Sequence, residues 1–154
     1  MIECLPAGIC SWNYLLRGDG QEARIEFNWM GEQGRLRVGD EEFRIEKDGV
    51  FSGSWRMESA QGTLFTARKT SAFTRSFEIA GGGAQTNLHA ASAFGRTMIL
   101  DSGGQQCVIA PAHPFTRRAT MSGTCDDFRL AAFAFWLTGL IWRRAAHSSG
   151  GGSS

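Results

Sequence analysis

Three Phe-x-Arg triplets recur at a fixed interval: Phe73-Thr74-Arg75, Phe94-Gly95-Arg96 and Phe115-Thr116-Arg117 each begin 21 residues after the last. The first two extend backwards as Ser71-Ala72 and Ser92-Ala93. A guanidinium presents a planar fork of donors that fits phosphate and carboxylate oxygens, so equally spaced arginines are candidates for gripping an anion. Arg75, Arg96, Arg117 and the adjoining Arg118, with Arg68 and Lys69 upstream, are accordingly read as a site for an anion or a lipid headgroup. A competing reading pairs each arginine with a carboxylate on a neighbouring strand, such as Glu58, Glu78 or Asp101, or leaves it in water as a solubilising charge.

The other reactive side chains form no such pattern. His89, His113 and His147 stand in unrelated contexts, with His89 expected as a half-buried strand residue and His147 as a solvated one. Catalysis by any of them needs a nucleophile and an orienting acid close in space, which spacing alone does not show. Cys4, Cys10, Cys107 and Cys125 are far apart, with no CxxC pair and no clustered histidines. They read as small buried apolar residues, and no metal site is expected. Gly81-Gly82-Gly83 lacks the following Lys-Ser/Thr of a P-loop, and there is no Gly-x-Ser-x-Gly elbow. No catalytic residue and no cofactor is assigned.

The 154 residues fit one domain, and 42% apolar with 20% charged side chains excludes the disordered, collagen-like and coiled-coil classes. Lys and Arg number 16 against 15 Asp and Glu, a net +1 that is too small an excess for a dedicated nucleic-acid binder. The opening Met1-Ile2-Glu3-Cys4-Leu5-Pro6 lacks the basic-then-apolar pattern of a secretory signal. With the bland cysteines, this places the chain as a monomer in a reducing cytoplasm.

From Trp12 to Met121, apolar and polar residues alternate with period two between turn-forming clusters. Ile25, Phe27 and Trp29 share one face, Leu36 with Val38 and Phe43 with Ile45 repeat the pattern, and Phe51, Trp55 and Met57 form a strand around Gly53. Adding Trp12–Leu16, Thr63–Lys69, Phe73–Ile79, Thr86–Ala91, Arg96–Leu100, Gln106–Ala110 and Thr116–Met121 gives about eleven short strands, the signature of an antiparallel barrel or sandwich. Gly18-Asp19-Gly20, Gly39-Asp40, Gly81-Gly82-Gly83 and Ser102-Gly103-Gly104 supply turns that accept positive φ. A 21-residue interval is then a hairpin unit, which sets the three arginines in a row on one side of the barrel.

After Asp126-Asp127 the character changes. Leu130 to Trp142 is apolar on every side and is closed by Arg143-Arg144, with acidic and basic ends that suit a helix dipole. Such a helix is enclosed either by protein or by lipid. Its roughly 13 residues span about 20 Å, short of the roughly 30 Å of a hydrocarbon core. A buried helix at about 127–144 is expected, with a membrane anchor as the alternative. Trp12, Trp29, Trp55, Trp136 and Trp142 each fall on the apolar phase of their element and are expected in the core. A single domain over 1–146 is followed by a flexible Gly/Ser tail at 147–154.

A run of short strands followed by one wholly apolar helix resembles the Tubby C-terminal-like superfamily, which includes Tubby-like, phospholipid scramblase and LURP-one-related proteins. The residues carrying the resemblance are the strand run with Phe73-Thr74-Arg75-Ser76-Phe77-Glu78-Ile79 and the segment Leu130–Trp142, and it covers about residues 10–144. It implies a twelve-stranded barrel closed around a hydrophobic helix. No phosphoinositide pocket and no acidic Ca²⁺ loop matches residue by residue, so only the fold transfers. A barrel that wide is not filled by its own side chains, and the apolar helix supplies the plug. The expectation is a mainly β protein, an antiparallel barrel of about 11–12 short strands enclosing a hydrophobic C-terminal α-helix. It is non-enzymatic and binds an anionic lipid headgroup or a protein partner. A membrane-anchored β-domain and a small-ligand barrel or enzyme are the alternatives.

Overall fold

The computed structural model describes residues 1–8, 11–49 and 52–150. Twelve strands follow one another as an antiparallel meander: β1 (Ile2–Pro6), β2 (Tyr14–Gly18), β3 (Gln21–Phe27), β4 (Gly34–Val38), β5 (Glu41–Lys47), β6 (Ser54–Ser59), β7 (Gly62–Lys69), β8 (Ser76–Gly81), β9 (Ala84–Ala90), β10 (Met98–Ser102), β11 (Gln105–Pro111) and β12 (Ala119–Gly123). β1 pairs back onto β12, so the sheet closes into a barrel without a free edge. The helix α1 (Phe128–Gly150) follows.

Period-two alternation puts one apolar set inside. Tyr14 and Leu16 on β2, Trp55 and Met57 on β6, Phe77 and Ile79 on β8, and Met98 and Leu100 on β10 are all buried. Their outward neighbours are polar or charged, as with Arg24 and Glu26 on β3 or Arg35 and Arg37 on β4. What these inward side chains pack on is α1, in which every residue from Leu130 to Trp142 is buried. Phe135 meets the edge of Tyr14 at 4.8 Å, Trp136 stacks on Phe27 at 5.0 Å and Phe133 lies over Phe65 at 6.3 Å. Thr138 is satisfied within the helix, donating to the Ala134 carbonyl at 2.9 Å. Trp136 Nε1 donates to the Glu26 carbonyl at 3.2 Å, and Gly34 leaves the room for it: a Cβ there would stand 2.5 Å from that nitrogen. The helix is enclosed by protein, and among the described residues no helix is long and apolar enough to cross a membrane.

Several boundaries differ from the sequence expectation. β1 is additional to the strands read from Trp12 onward, because only Ile2 and Cys4 face inward before Pro6 ends it. β8, β10 and β12 begin at Ser76, Met98 and Ala119, so all three Phe-x-Arg triplets lie in loops rather than in strands. Trp29 is not in the core: β3 ends at Phe27, the Asn28 side chain accepts the Met30 N–H at 3.1 Å to turn the chain, and Trp29 stands exposed. α1 runs past 144 to Gly150, where the Ser148 and Ser149 hydroxyls donate to carbonyls one turn back. Cys10, Phe51 and Gly151–Ser154 lie outside the described residues.

Candidate functional site

In an antiparallel meander, alternate turns gather at opposite ends of the barrel. One end holds five reversals of two residues each, after β2, β4, β6, β8 and β10. The loops at the other end, after β1, β3, β5, β7, β9 and β11, take six or seven residues each. These longer loops carry the large apolar side chains that the core rejects. Trp29 and Met30 are 85% and 76% exposed between β3 and β4, Phe73 is 97% exposed between β7 and β8, Phe94 is 88% exposed between β9 and β10, and Phe115 is 91% exposed between β11 and β12. Single exposed hydrophobics are ordinary on a protein surface, but a set gathered at one end is not.

The same end is cationic. On β5 the inward phase Phe43–Ile45 continues to Lys47, and on β7 Phe65–Ala67 continues to Lys69. Arg75, Arg96 and Arg117 hold the same phase just before Phe77, Met98 and Ala119. α1 delivers Arg143 and Arg144 to this mouth, where the acidic groups are Glu32 and Asp48, the latter paired with Arg56 at 2.5 Å. The turns of the opposite end hold Asp19 and Asp40, with Asp126 and Asp127 leading into the helix. A net charge of +1 therefore conceals a separation of charge along the barrel axis.

The structure brings Arg75, Arg96 and Arg117 to one rim, but two of them hold neighbouring loops. Arg75 Nη2 donates to the carbonyls of Ser92 and Ala93 at 2.8 and 3.1 Å, and Nη1 donates to Gly95, so this arginine fixes the loop that presents Phe94. Arg117 donates to the carbonyls of Ser11 and Gly8 and lies 5.4 Å over the Trp12 ring. Tyr14 Oη donates to the Arg117 carbonyl at 2.7 Å, so both bridge the β1–β12 seam. Arg96 lies 5.7 Å over Trp142, whose Nε1 donates to the Arg96 carbonyl at 2.9 Å. Arg118 is exposed, and its guanidinium has no partner among the described residues. Arg68 points to the barrel flank, paired with Glu78 at 3.1 Å.

At the mouth, Glu32 is the hub. Its carboxylate accepts from Lys47 Nζ at 2.7 Å and from Arg144 through Nη2 at 2.6 Å and Nε, and its carbonyl accepts Trp55 Nε1 at 3.0 Å. Burial raises the Glu32 pKa, but the hydrogen bonds and charges of Arg144 and Lys47 outweigh it and hold the group down at about 2. Lys47 and Arg144 both lie over the Trp55 ring, at 5.5 and 5.6 Å. Buried Arg143 donates to the carbonyls of Asn28 and Gly31 at 2.8 and 2.6 Å and thereby ties the helix to the Trp29 loop. Burial, then the charge of Arg144, lowers the pKa of half-buried Lys69.

The histidines are not brought together. His89 is half-buried on β9, His113 is exposed with Nδ1 accepting the Phe115 N–H at 3.1 Å, and His147 is exposed on the last turns of α1. Cys4, Cys107 and Cys125 are free thiols, and burial raises all three, Cys125 to about 11, which suppresses the reactive thiolate. No cluster of metal-ligating side chains occurs among the described residues. Comparison with known proteins adds no relative: no family model matches the chain, and no curated protein or solved structure matches it.

Sequence reasoning found the arginines of the repeat and missed Trp29, Met30, Glu32, Lys47, Arg143 and Arg144 as parts of the same end. A signal was present for Lys47. Like Lys69, it sits one step beyond an inward apolar pair, in phase with it, immediately before a turn cluster.

Proposed function

We propose that this barrel is a peripheral membrane-binding module that docks its aromatic end onto an anionic lipid surface. The observation that carries the reading is the coincidence of exposed Trp29, Phe73, Phe94 and Phe115 with a cationic rim at one end of the barrel. Aromatic side chains partition into the headgroup region, and cations just behind them meet the negative potential of anionic lipids. The tips stand on separate loops around a ring, which suits a fluid surface that conforms to each tip. The charged outward positions, such as Arg24, Glu26, Arg35 and Arg44, keep the flank in water, so contact is confined to the end. The module would act as a non-enzymatic monomer on the cytoplasmic leaflet. Kinship with the Tubby C-terminal-like superfamily belongs to the same proposal and rests on the shared plan of barrel and enclosed helix.

Vesicle flotation tests it. The wild-type chain is expected to float with vesicles containing phosphatidylglycerol, to float less at high salt, and to show a blue shift of Trp29 fluorescence on binding. Replacing Phe73, Phe94 and Phe115 together by Ser is expected to abolish flotation while shifting Tm by no more than about 2 °C, because these rings lie outside the core. A wild type that stays at the bottom of the gradient, or a triple variant that floats equally well, overturns the reading.

A further inference from the structure

We propose that the mouth of the barrel holds a phosphomonoester site formed by Lys69, Arg144 and Lys47. The inference deepens the membrane-docking reading and rests on it only for the source of the phosphate. Inward positions of β5 and β7 that are apolar through Ile45 and Ala67 become cationic at Lys47 and Lys69, beside the emerging end of α1. Gly53 packs against the root of the Lys69 side chain, where a Cβ on Gly53 would stand 3.2 Å from the Lys69 Cβ. Lys69 is half-buried, and no hydrogen bond or ion pair holds its ammonium among the described residues.

The neighbouring cations are fixed but not exhausted. Arg144 gives Nε and Nη2 to Glu32 and keeps Nη1, and Lys47 gives one of its three N–H groups. The Trp55 ring beneath both fixes their heads. Lys69 is within electrostatic reach of both Arg144 and Glu32. Lys47, Lys69 and Arg144, with buried Arg143 behind them, surround the one carboxylate of Glu32 and leave a net positive charge greater than one. That surplus matches a phosphomonoester, which carries about −1.5 to −2 at neutral pH with three acceptor oxygens, better than the single charge of a diester headgroup. The rim arginines are poorer candidates. Arg75 and Arg117 already donate to loop carbonyls, and Arg118 stands in water with nothing to orient it.

The test compares the full chain on vesicles of phosphatidic acid, a monoester, with vesicles of phosphatidylglycerol, a diester, at matched surface potential. The wild type is expected to bind the monoester vesicles about tenfold more tightly, the size of one charge-assisted contact. Lys69→Gln is expected to remove that preference while still binding both surfaces, and Lys69→Arg to retain it. Glycerol 3-phosphate in solution, followed by tryptophan fluorescence from Trp55, distinguishes the sources. Saturable binding lost in Lys69→Gln assigns the site to a soluble monoester, and preference on vesicles alone assigns it to a lipid. Equal affinity for both vesicles with no response to glycerol 3-phosphate, or an undiminished preference in Lys69→Gln, overturns the site while leaving membrane docking standing. Failure to bind any vesicle overturns the docking, and the solution arm then decides the site by itself.

Discussion

At one end of the barrel the chain reverses five times in two residues, and at the other it takes six or seven residues for each reversal. Three of the short turns, at 19–20, 82–83 and 103–104, follow from handedness. Strand twist favours turns with positive φ at both central residues, which Asp19-Gly20 adopts at 53° and 73° and Gly103-Gly104 at 58° and 86°. At these three turns the glycines serve chiefly to permit the backbone. The long loops are under no such requirement, and they use the freedom to expose aromatics, to cross-link neighbours through Arg75 and Arg117, and to grip the helix end. One end is shaped mainly by backbone geometry, with short-range side-chain bonds such as Ser59 Oγ to the Gly62 carbonyl and Arg17 to Glu22. The other carries side chains whose exposure in water is unfavourable unless something covers them.

The contrast depends on α1 running from the acidic end to the cationic one, so the largest effect is expected from breaking that axis. Leu137→Asp places a carboxylate among fully buried side chains and is expected to cost about 3–5 kcal/mol or more, abolishing cooperative thermal unfolding. A variant that melts like the wild type would remove the helix from the interior and the comparison with it. Next comes a pair of glycines. Gly34→Ala drives a Cβ to 2.1 Å from the Glu26 carbonyl oxygen and is expected to cost about 2–3 kcal/mol by denaturant unfolding. Gly103→Ala, at an open two-residue turn, is expected to cost only about 1 kcal/mol. Equal costs would erase the difference between a packing glycine and a turn glycine.

A smaller effect sharpens the picture of the long loops. Arg75→Ala is expected to lower stability by about 1 kcal/mol, yet to speed amide hydrogen exchange in 91–97 with no change at the two-residue turns. Uniform acceleration across both ends would deny the arginine its role as a clamp on one loop. The smallest is seen only in acid. Glu32 sits lower in the folded chain than its ordinary value near 4.5, so its contribution is complete above that pH and is lost as pH falls towards about 2. The wild type should therefore lose Tm through this window more steeply than Glu32→Gln, and parallel curves would show that the carboxylate does not hold the mouth together.

Much of the plan was legible because the barrel repeats one rule. Inward pairs such as Phe43 with Ile45 and Met98 with Leu100 alternate cleanly, and the apolar run of α1 has no polar stripe, so both layers follow from periodicity. A 21-residue interval is one hairpin long, so each step returns to the same rim, with the triplets in loops rather than in strands. What periodicity could not separate was an aromatic that continues a strand from one that caps a loop. Phe73 and Trp29 sit in phase with Phe77 and Ile25, yet each lies beyond the last strand residue, where the chain turns. The Glu32 hub was illegible for another reason. Glu32 stands in the β3–β4 loop and its partners come from the end of β5, from β6 and from the far end of α1, and only the closed barrel brings those together.

The seam between β1 and β12 bears on how the barrel assembles. Every other strand pair joins sequence neighbours across at most seven residues, whereas Ile2 must find Met121 across nearly the whole chain. The seam is also brief, with three facing pairs, Ile2 with Met121, Glu3 with Thr120 and Cys4 with Ala119. Loop-closure entropy makes such a contact late to form, and its few hydrogen bonds make it early to open. Folding then ends as a wrapped ribbon sealing around its own C-terminal helix, and native-state breathing starts where the seal was made last.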